Sequence, residues 1–260
     1  MSGRPPLIDG ELCVLGEYRG LLFVDKPAGL QTEPDARHDD TLVTRIARQL
    51  AVPRAQIHAL SRLDTGVSGV VTLGLSSAAR KLVLDWRRQG RFSRRYVALA
   101  TGEPKARAGT WRESIGRGPG NLRRVGGRQP EAAETHYAVI AQSRPSERAN
   151  PPALVLLALS PQTGRTHQLR VHAAAHGLPL LGDRGYGGST RLIAETGSVR
   201  PFERIALHAA WVELPLPQPL RFIADIPQEL SGIWRDYGGE PAAFESALRA
   251  ELAADAGGSV

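Results

Sequence analysis

An aspartate stands at the centre of Arg62-Leu63-Asp64-Thr65-Gly66-Val67-Ser68-Gly69, with arginine two residues before it, glycines after it and apolar runs on either side. A carboxylate presented on such a bend is a candidate base or nucleophile. The same residues also suit a plain turn, because aspartate before a Thr-Gly step commonly bonds the backbone two residues on. A second polar concentration is Pro161-Gln162-Thr163-Gly164-Arg165-Thr166-His167-Gln168-Leu169-Arg170-Val171-His172, at an expected strand-to-helix junction. Unpaired N–H groups and the positive dipole end favour anions there. Arg165 is a candidate partner for Asp64, since an opposite charge orients a carboxylate and favours its ionised form. An exposed structural ion pair is the alternative.

Other chemistries match the spacing less well. His167, His172 and His176 suggest a metal, but His167 and His172 lie five apart, on different faces of a helix, with no acidic residue among the three, so none is expected. A serine nucleophile elbow needs Gly-x-Ser-x-Gly, and Gly66-Val67-Ser68-Gly69-Val70 misses it by one residue. The phosphate-loop and dinucleotide fingerprints are absent.

The 260 residues suffice for one large domain or two modest ones. The longest uninterrupted apolar run, Ala153 to Leu159, falls far short of the ~20 residues that span a bilayer, so no membrane partner is expected. Met1-Ser2-Gly3-Arg4-Pro5-Pro6 lacks the apolar core of a secretory signal. Cys13 is the single cysteine, which excludes an internal disulfide and a cysteine metal site and suits the cytoplasm. A net charge of +7 favours a polyanionic partner. Lys26, Lys81 and Lys105 are the only lysines, so codon bias is another source of the arginine excess. Glu240, Glu245, Glu251 and Asp255 gather near the C-terminus and leave the preceding body more basic.

The elements that must position these groups are legible from periodicity. Leu21-Leu22-Phe23-Val24 reads as a buried strand stopped by Lys26-Pro27-Ala28-Gly29. Thr41 to Leu50 has helical spacing, with Asp40 or Thr41 as N-cap. Val70 to Leu75 follows as a strand, and Ser76 opens a helix whose Ala79, Leu82, Val83 and Trp86 share a face. Tyr96 to Ala100 is a further strand. Before it lies the densest basic run, Arg87-Arg88-Gln89-Gly90-Arg91-Phe92-Ser93-Arg94-Arg95, either a solvated helix end or a phosphate-holding segment with Phe92 and Tyr96 to stack on bases. The Gly/Arg-rich residues 116–130 read as a mobile hairpin tip or a disordered loop, one that could order on RNA. Strands are expected at Thr135–Ile140, Leu154–Leu159, Ile205–Leu214 and Arg221–Ala224, with helices from Thr166 to His176 and from Pro241 to Ala254. Short strands among few helices predict a mixed, largely antiparallel α+β sheet with flanking helices.

Taken together, Leu22-Phe23-Val24-Asp25-Lys26-Pro27-Ala28-Gly29-Leu30, the Arg-Leu-Asp-x-x-x-Ser-Gly stretch, Arg95-Tyr96-Val97-Ala98-Leu99 and Thr163 to His172 resemble the RluA-like family of pseudouridine synthases. Gly182-Asp183-Arg184-Gly185-Tyr186-Gly187 and Ala206-Leu207-His208-Ala209 also look like that family's pattern, and the resemblance runs from about residue 20 to about residue 225. Two positions depart from it: Ser61 stands where the family usually has histidine, and Val67 where it has threonine.

The resemblance implies a pseudouridine synthase fold with a central catalytic cleft, and an isomerase that works without cofactor or metal. The enzyme would break the N-glycosidic bond of a uridine in ribosomal or transfer RNA, rotate the uracil and rejoin it through carbon 5. Asp64 would be the essential acid, Tyr96 would lie against the base as the partner for proton removal at carbon 5, and Arg165 would pair with Asp64. Arg62 would fill the gap left by the flipped uridine. Arg87, Arg88, Arg91, Arg94, Arg95, His167 and Arg170 are candidate RNA contacts. Lys26 would be structural. The expected organisation is an N-terminal extension over 1–20, a catalytic domain over 21–238 and an Ala-rich helix and tail over 239–260. The chain resembles a member without the S4 RNA-binding domain, and a monomer with no obligate protein partner is expected. A catalytically idle RNA-binding or folding factor on the same scaffold is the alternative.

Overall fold

The computed structural model describes residues 11–144, 148–193, 197 and 199–252. Residues 1–10 of the expected N-terminal extension and the tail beyond 252 lie outside the described residues. In chain order the elements are β1 (Cys13–Tyr18), β2 (Leu21–Lys26), α1 (Leu42–Gln49), β3 (His58–Ala59), β4 (Ser68–Gly74) and α2 (Ser77–Arg88). Next come β5 (Ser93–Ala100), β6 (Ala108–Trp111), β7 (Ile115–Arg117), β8 (Arg123–Val125), β9 (Arg128–Glu131), β10 (Thr135–Gln142), β11 (Val155–Pro161) and α3 (Gln168–Ala175). The last stretch carries β12 (Arg191–Ile193), β13 (Val199–Pro201), β14 (Leu207–Leu214), β15 (Leu220–Ile223), α4 (Gln228–Asp236) and α5 (Ala242–Arg249). This is the expected α+β composition with antiparallel strands. Among the described residues no helix is long and apolar enough to cross a membrane.

Contacts divide the described residues into two compact units, within Met1–Phe92 plus Trp211–Ala224 and within Ser93–Ala210 plus Asp225–Val260. In the first, β2 lies between β1 and β4, and the end of β14 pairs with β15. Residues 13–18, expected in an extension, are thus an edge strand of the sheet. Leu21, Phe23, Val70, Val212, Leu214 and Phe222 form a core that α2 covers with Ala79, Val83 and Trp86. The Phe23 and Phe222 rings stack with centroids 3.8 Å apart.

The helix starts follow their caps. Thr41, rather than Asp40, caps α1: its hydroxyl accepts from the Thr44 N–H while Thr44 Oγ1 accepts from the Thr41 N–H, a reciprocal box worth about 1 kcal/mol. Ser76 caps α2 in the simpler way, accepting from the Ala79 N–H.

The second unit is built on β5, β11, β10 and β6, each antiparallel to the next. Helix α5 packs against β5, β10 and β11, and stops at Arg249 rather than running on to Ala254. Helix α4 is additional to the elements expected from periodicity; Leu230, Ile233 and Trp234 have helical spacing and are buried. Trp234 is fully enclosed, its indole N–H donating to the Glu240 carbonyl at 2.9 Å. Its ring lies where a Cβ on Gly239 would stand, 2.1 Å from the nearest ring atom, so only glycine fits there.

Of the two expectations for the Gly/Arg-rich residues 116–130, a hairpin tip or a disordered loop, the structure has the hairpin, β7 to β8, with β9 added as a third strand. These residues fold into a small antiparallel sheet, β8-β7-β9. Composition suggested a loop because its backbone pairing leaves almost no apolar signature; Ile115 alone of β7 supplies a hydrophobic anchor, buried with Ala133 and Val171.

Candidate active site

Asp64 belongs to the first unit and is half-buried on the turn before β4, its carbonyl accepting from the Val67 N–H at 2.9 Å. Backbone clamps fix that turn on both sides. Thr32 Oγ1 donates to the Leu63 carbonyl at 2.9 Å and accepts from the Leu63 N–H at 3.2 Å. The Gly29 N–H donates to the Thr65 carbonyl at 2.7 Å. Lys26 is 0% exposed, and its ammonium donates to the Leu30 carbonyl at 2.6 Å and the Pro27 carbonyl at 3.0 Å, with the Thr65 carbonyl at 3.5 Å. A buried ammonium is stable only when so satisfied. The structural role expected of Lys26 is therefore specific: it ties the loop after β2 to the loop carrying Asp64.

The two departures are accommodated locally. Ser61 Oγ accepts from the Thr72 N–H at 2.8 Å, and Val67 is a core residue at 2% exposure. Arg62 extends into solvent with its side chain 70% exposed, 3.5 Å from Glu33.

The basic run divides by environment. Arg88 is exposed and 3.6 Å from Asp85. Arg91 is exposed and donates to the Pro215 carbonyl at 3.0 Å, while Arg87 lies over the Phe92 ring at 5.2 Å. In the second unit Arg94 donates to the Pro161 and Thr163 carbonyls at 2.9 and 3.1 Å, holding the loop that precedes Arg165. Tyr96 stands on β5 opposite Leu159 and is 8% exposed.

Arg95 corrects the expectation of an RNA contact. It is 6% exposed and donates to the Ala247 carbonyl at 3.2 Å, a last-turn acceptor that α5 itself leaves unpaired. Arg170 needs the same correction. Its Nε and Nη2 grip the two Asp183 oxygens at 2.7 and 2.8 Å, with side chains 10% and 1% exposed. Both guanidinium groups serve the interior, where a phosphate has no access.

The segment before α3 is pinned by one amide, Gln168, whose role the residue pattern does not announce. Gln168 Oε1 accepts from Thr163 Oγ1 at 2.7 Å and the Arg165 N–H at 2.9 Å, and its Nε2 donates to the Glu134 carbonyl at 2.8 Å and Thr135 Oγ1 at 2.9 Å. Its carbonyl oxygen thus closes the turn over Arg165 to Gln168 that leads into α3. Arg165 is held by Glu131, an ion pair to Nη1, and by the Ala132 carbonyl, which accepts from Nε at 2.9 Å. His167 has φ +57°, a left-handed conformation costing a non-glycine residue about 1–2 kcal/mol. Its Nδ1 lies 2.8 Å from the Tyr186 hydroxyl.

His172 and His176 both reach Glu113, at different atoms, and His167 does not. His176 Nε2 meets Glu113 Oε1 at 2.9 Å. His172, 0% exposed, sits between Thr135 Oγ1 at 3.0 Å and the Glu113 carbonyl at 3.0 Å. A carbonyl only accepts, so Nε2 carries the proton of the neutral ring. Burial pushes the His172 pKa below its ordinary 6.5; the Glu113 carbonyl and carboxylate oppose the shift, and His176 adds to it. The unfolded chain then takes up this proton more readily than the folded one. The stability contribution of His172 is complete above about pH 6.5 and declines as pH falls toward the lower folded value. We expect thermal melts to show a loss of stability over that window, flattened in His172→Gln; identical slopes in the two proteins would remove His172 as the source.

A family model described as RNA pseudouridylate synthase matches residues 20–175. An uncharacterised RNA pseudouridine synthase of Bacillus subtilis, YhcT, is 34% identical over 238 residues, covering 88% of this chain and 73% of that protein. A ribosomal large subunit pseudouridine synthase D of Xylella fastidiosa is 33% identical over 235 residues, covering 85% and 68%. Among solved structures, human RNA pseudouridylate synthase domain containing 1 superposes with a TM-score of 0.68 at 24% identity, covering 97% of this chain and 100% of that one, a likeness of fold.

Proposed function

Because the chain belongs to the RNA pseudouridylate synthase family and is thus an isomerase acting on RNA, we propose that it converts specific uridines of ribosomal RNA to pseudouridine with Asp64 as the essential acid. The relatives named as ribosomal large subunit enzymes favour ribosomal over transfer RNA. The observation that carries the role of Asp64 is the clamping of its turn by Lys26, Thr32 and Gly29 on backbone atoms. A reacting group held before substrate arrives spends no binding energy on being ordered.

The chemistry follows from the residue types. Asp64 acts at the ribose, as nucleophile or as base, when the bond between N1 and carbon 1′ breaks. The uracil turns, carbon 5 bonds to carbon 1′, and the proton leaves carbon 5 while N1 regains one, so the product is an isomer of the substrate. Tyr96 offers an aromatic face to the base and a hydroxyl for the proton at carbon 5. Arg165 is oriented by Glu131 and the Ala132 carbonyl, and its guanidinium carries five N–H donors in all. The uridine leaves its stack at a cost of a few kcal/mol, offset by phosphate and stacking contacts, with Arg62 as the group to fill the gap.

The test is tritium release from ribosomal RNA labelled at uracil carbon 5. Release with time is expected, together with pseudouridine at discrete positions. An idle RNA-binding factor on the same scaffold would release none.

A further inference from the structure

The sheet of β7, β8 and β9 lines up charges that sheets ordinarily keep apart. Arg117 on β7 pairs in register with Arg123 on β8 and with Arg128 on β9. Opposed residues of neighbouring antiparallel strands point to one face, so three guanidinium groups form a row on strands ~4.8 Å apart. Like charges placed in this way repel one another. Between Glu113 and Glu131 the sequence has no acidic residue, and Glu131 is committed to Arg165. Arg117 and Arg128 are exposed and Arg123 is half-buried. Among the described residues, none of the three has an acidic partner within ion-pair distance.

The surrounding structure nevertheless holds the row in place. Gly116 and Gly127 bring two strands into close backbone approach: a Cβ on Gly116 would stand 2.5 Å from the Gly127 carbonyl carbon. Ile115, two residues before Arg117 on β7, is buried with Ala133 and Val171 of α3 and packs against Tyr186, which anchors the strand. The Arg123 N–H donates to the Tyr186 hydroxyl at 2.9 Å, the same hydroxyl that meets His167. On β9, Glu131 holds Arg165. The arginine row is therefore fastened at two points to the segment that opens α3.

We propose that the Arg117–Arg123–Arg128 row is a docking surface for the phosphate backbone of the substrate RNA. The proposal rests on the RNA-modifying reading above and adds where the backbone is gripped. Such contacts fix register and orientation and read no sequence. Phosphates laid along the row remove the repulsion that the folded sheet otherwise carries. Through Tyr186 and Glu131, a strand docked there is registered against Arg165 and His167.

The test is the salt dependence of binding. Anisotropy titrations of a labelled ribosomal RNA stem-loop from about 50 to about 200 mM salt give the slope of log K against log salt. In the triple variant Arg117→Gln, Arg123→Gln, Arg128→Gln, affinity is expected to fall roughly 10- to 100-fold and the slope to shrink by about 2, near 0.7–0.9 per lost contact. Replacement by lysine at the same three positions is expected to keep most of the slope. Wild-type affinity and slope in the glutamine triple variant would overturn the proposal. Should that variant fail to fold, the three single variants decide: each is expected to lose about 0.7–0.9 of slope, and three unchanged slopes overturn it. A wild-type protein that binds through these arginines but releases no tritium overturns the catalytic reading and leaves the row standing. A wild-type protein without RNA affinity overturns both.

Discussion

Asp64→Asn is expected to abolish pseudouridine formation, by about 10⁴-fold or more, while leaving the fold and RNA affinity near wild type. The substitution keeps the size and shape of the side chain and removes the charge that must act at the ribose. The loop should survive it because its clamps fall on the backbone of Leu63 and Thr65, which asparagine at 64 does not alter. Phosphate contacts that position RNA do not depend on this carboxylate either. Three measurements separate the effects: a thermal melt, an RNA titration and tritium release under single-turnover conditions. Tritium release at the wild-type rate would sink the assignment of Asp64. A large drop in melting temperature would instead give Asp64 a structural role in its turn.

Asp183→Ala is expected to destabilise the second unit by about 3–5 kcal/mol. The Arg170–Asp183 pair is bidentate and enclosed, with the aspartate side chain 1% exposed, and the Arg170 guanidinium also lies over the Tyr186 ring at 4.8 Å. Removing the carboxylate leaves a buried cation without its counter-charge, which costs more than the pair ever contributed. Replacing both partners with apolar residues removes that penalty. Arg170→Leu combined with Asp183→Ala should therefore be more stable than Asp183→Ala alone, a coupling readable in a double-mutant cycle. For a chain of this size the single variant should melt about 10 °C or more below wild type. A shift of only a degree or two would mean that the pair is not what holds α3 to the loop at 182–187.

The sequence alone determined the local elements and the family. The apolar run at Leu21–Val24 and the helical spacing of Thr41–Leu50 and Ser76–Trp86 depend on neighbouring residues only, and the elements formed where those patterns placed them. The ordered motifs around Lys26, Asp64, Tyr96 and Arg165 were enough to indicate the family, because each is contiguous in the chain. Tertiary structure decided which charges are surface and which are interior. Arg95 and Arg88 are indistinguishable as letters in one basic run, yet one satisfies a helix carbonyl 152 residues away and the other faces solvent. The clamp of Thr32 on Leu63 spans 31 residues, and the hold of Glu131 on Arg165 spans 34. The sheet at 115–131 was hidden for a related reason: its order comes from backbone pairing and close glycine contact, which carry little side-chain periodicity. Asp64 could be read from the sequence as a chemical group, but the partners that hold its turn come from distant parts of the chain, and only folding brings them to it.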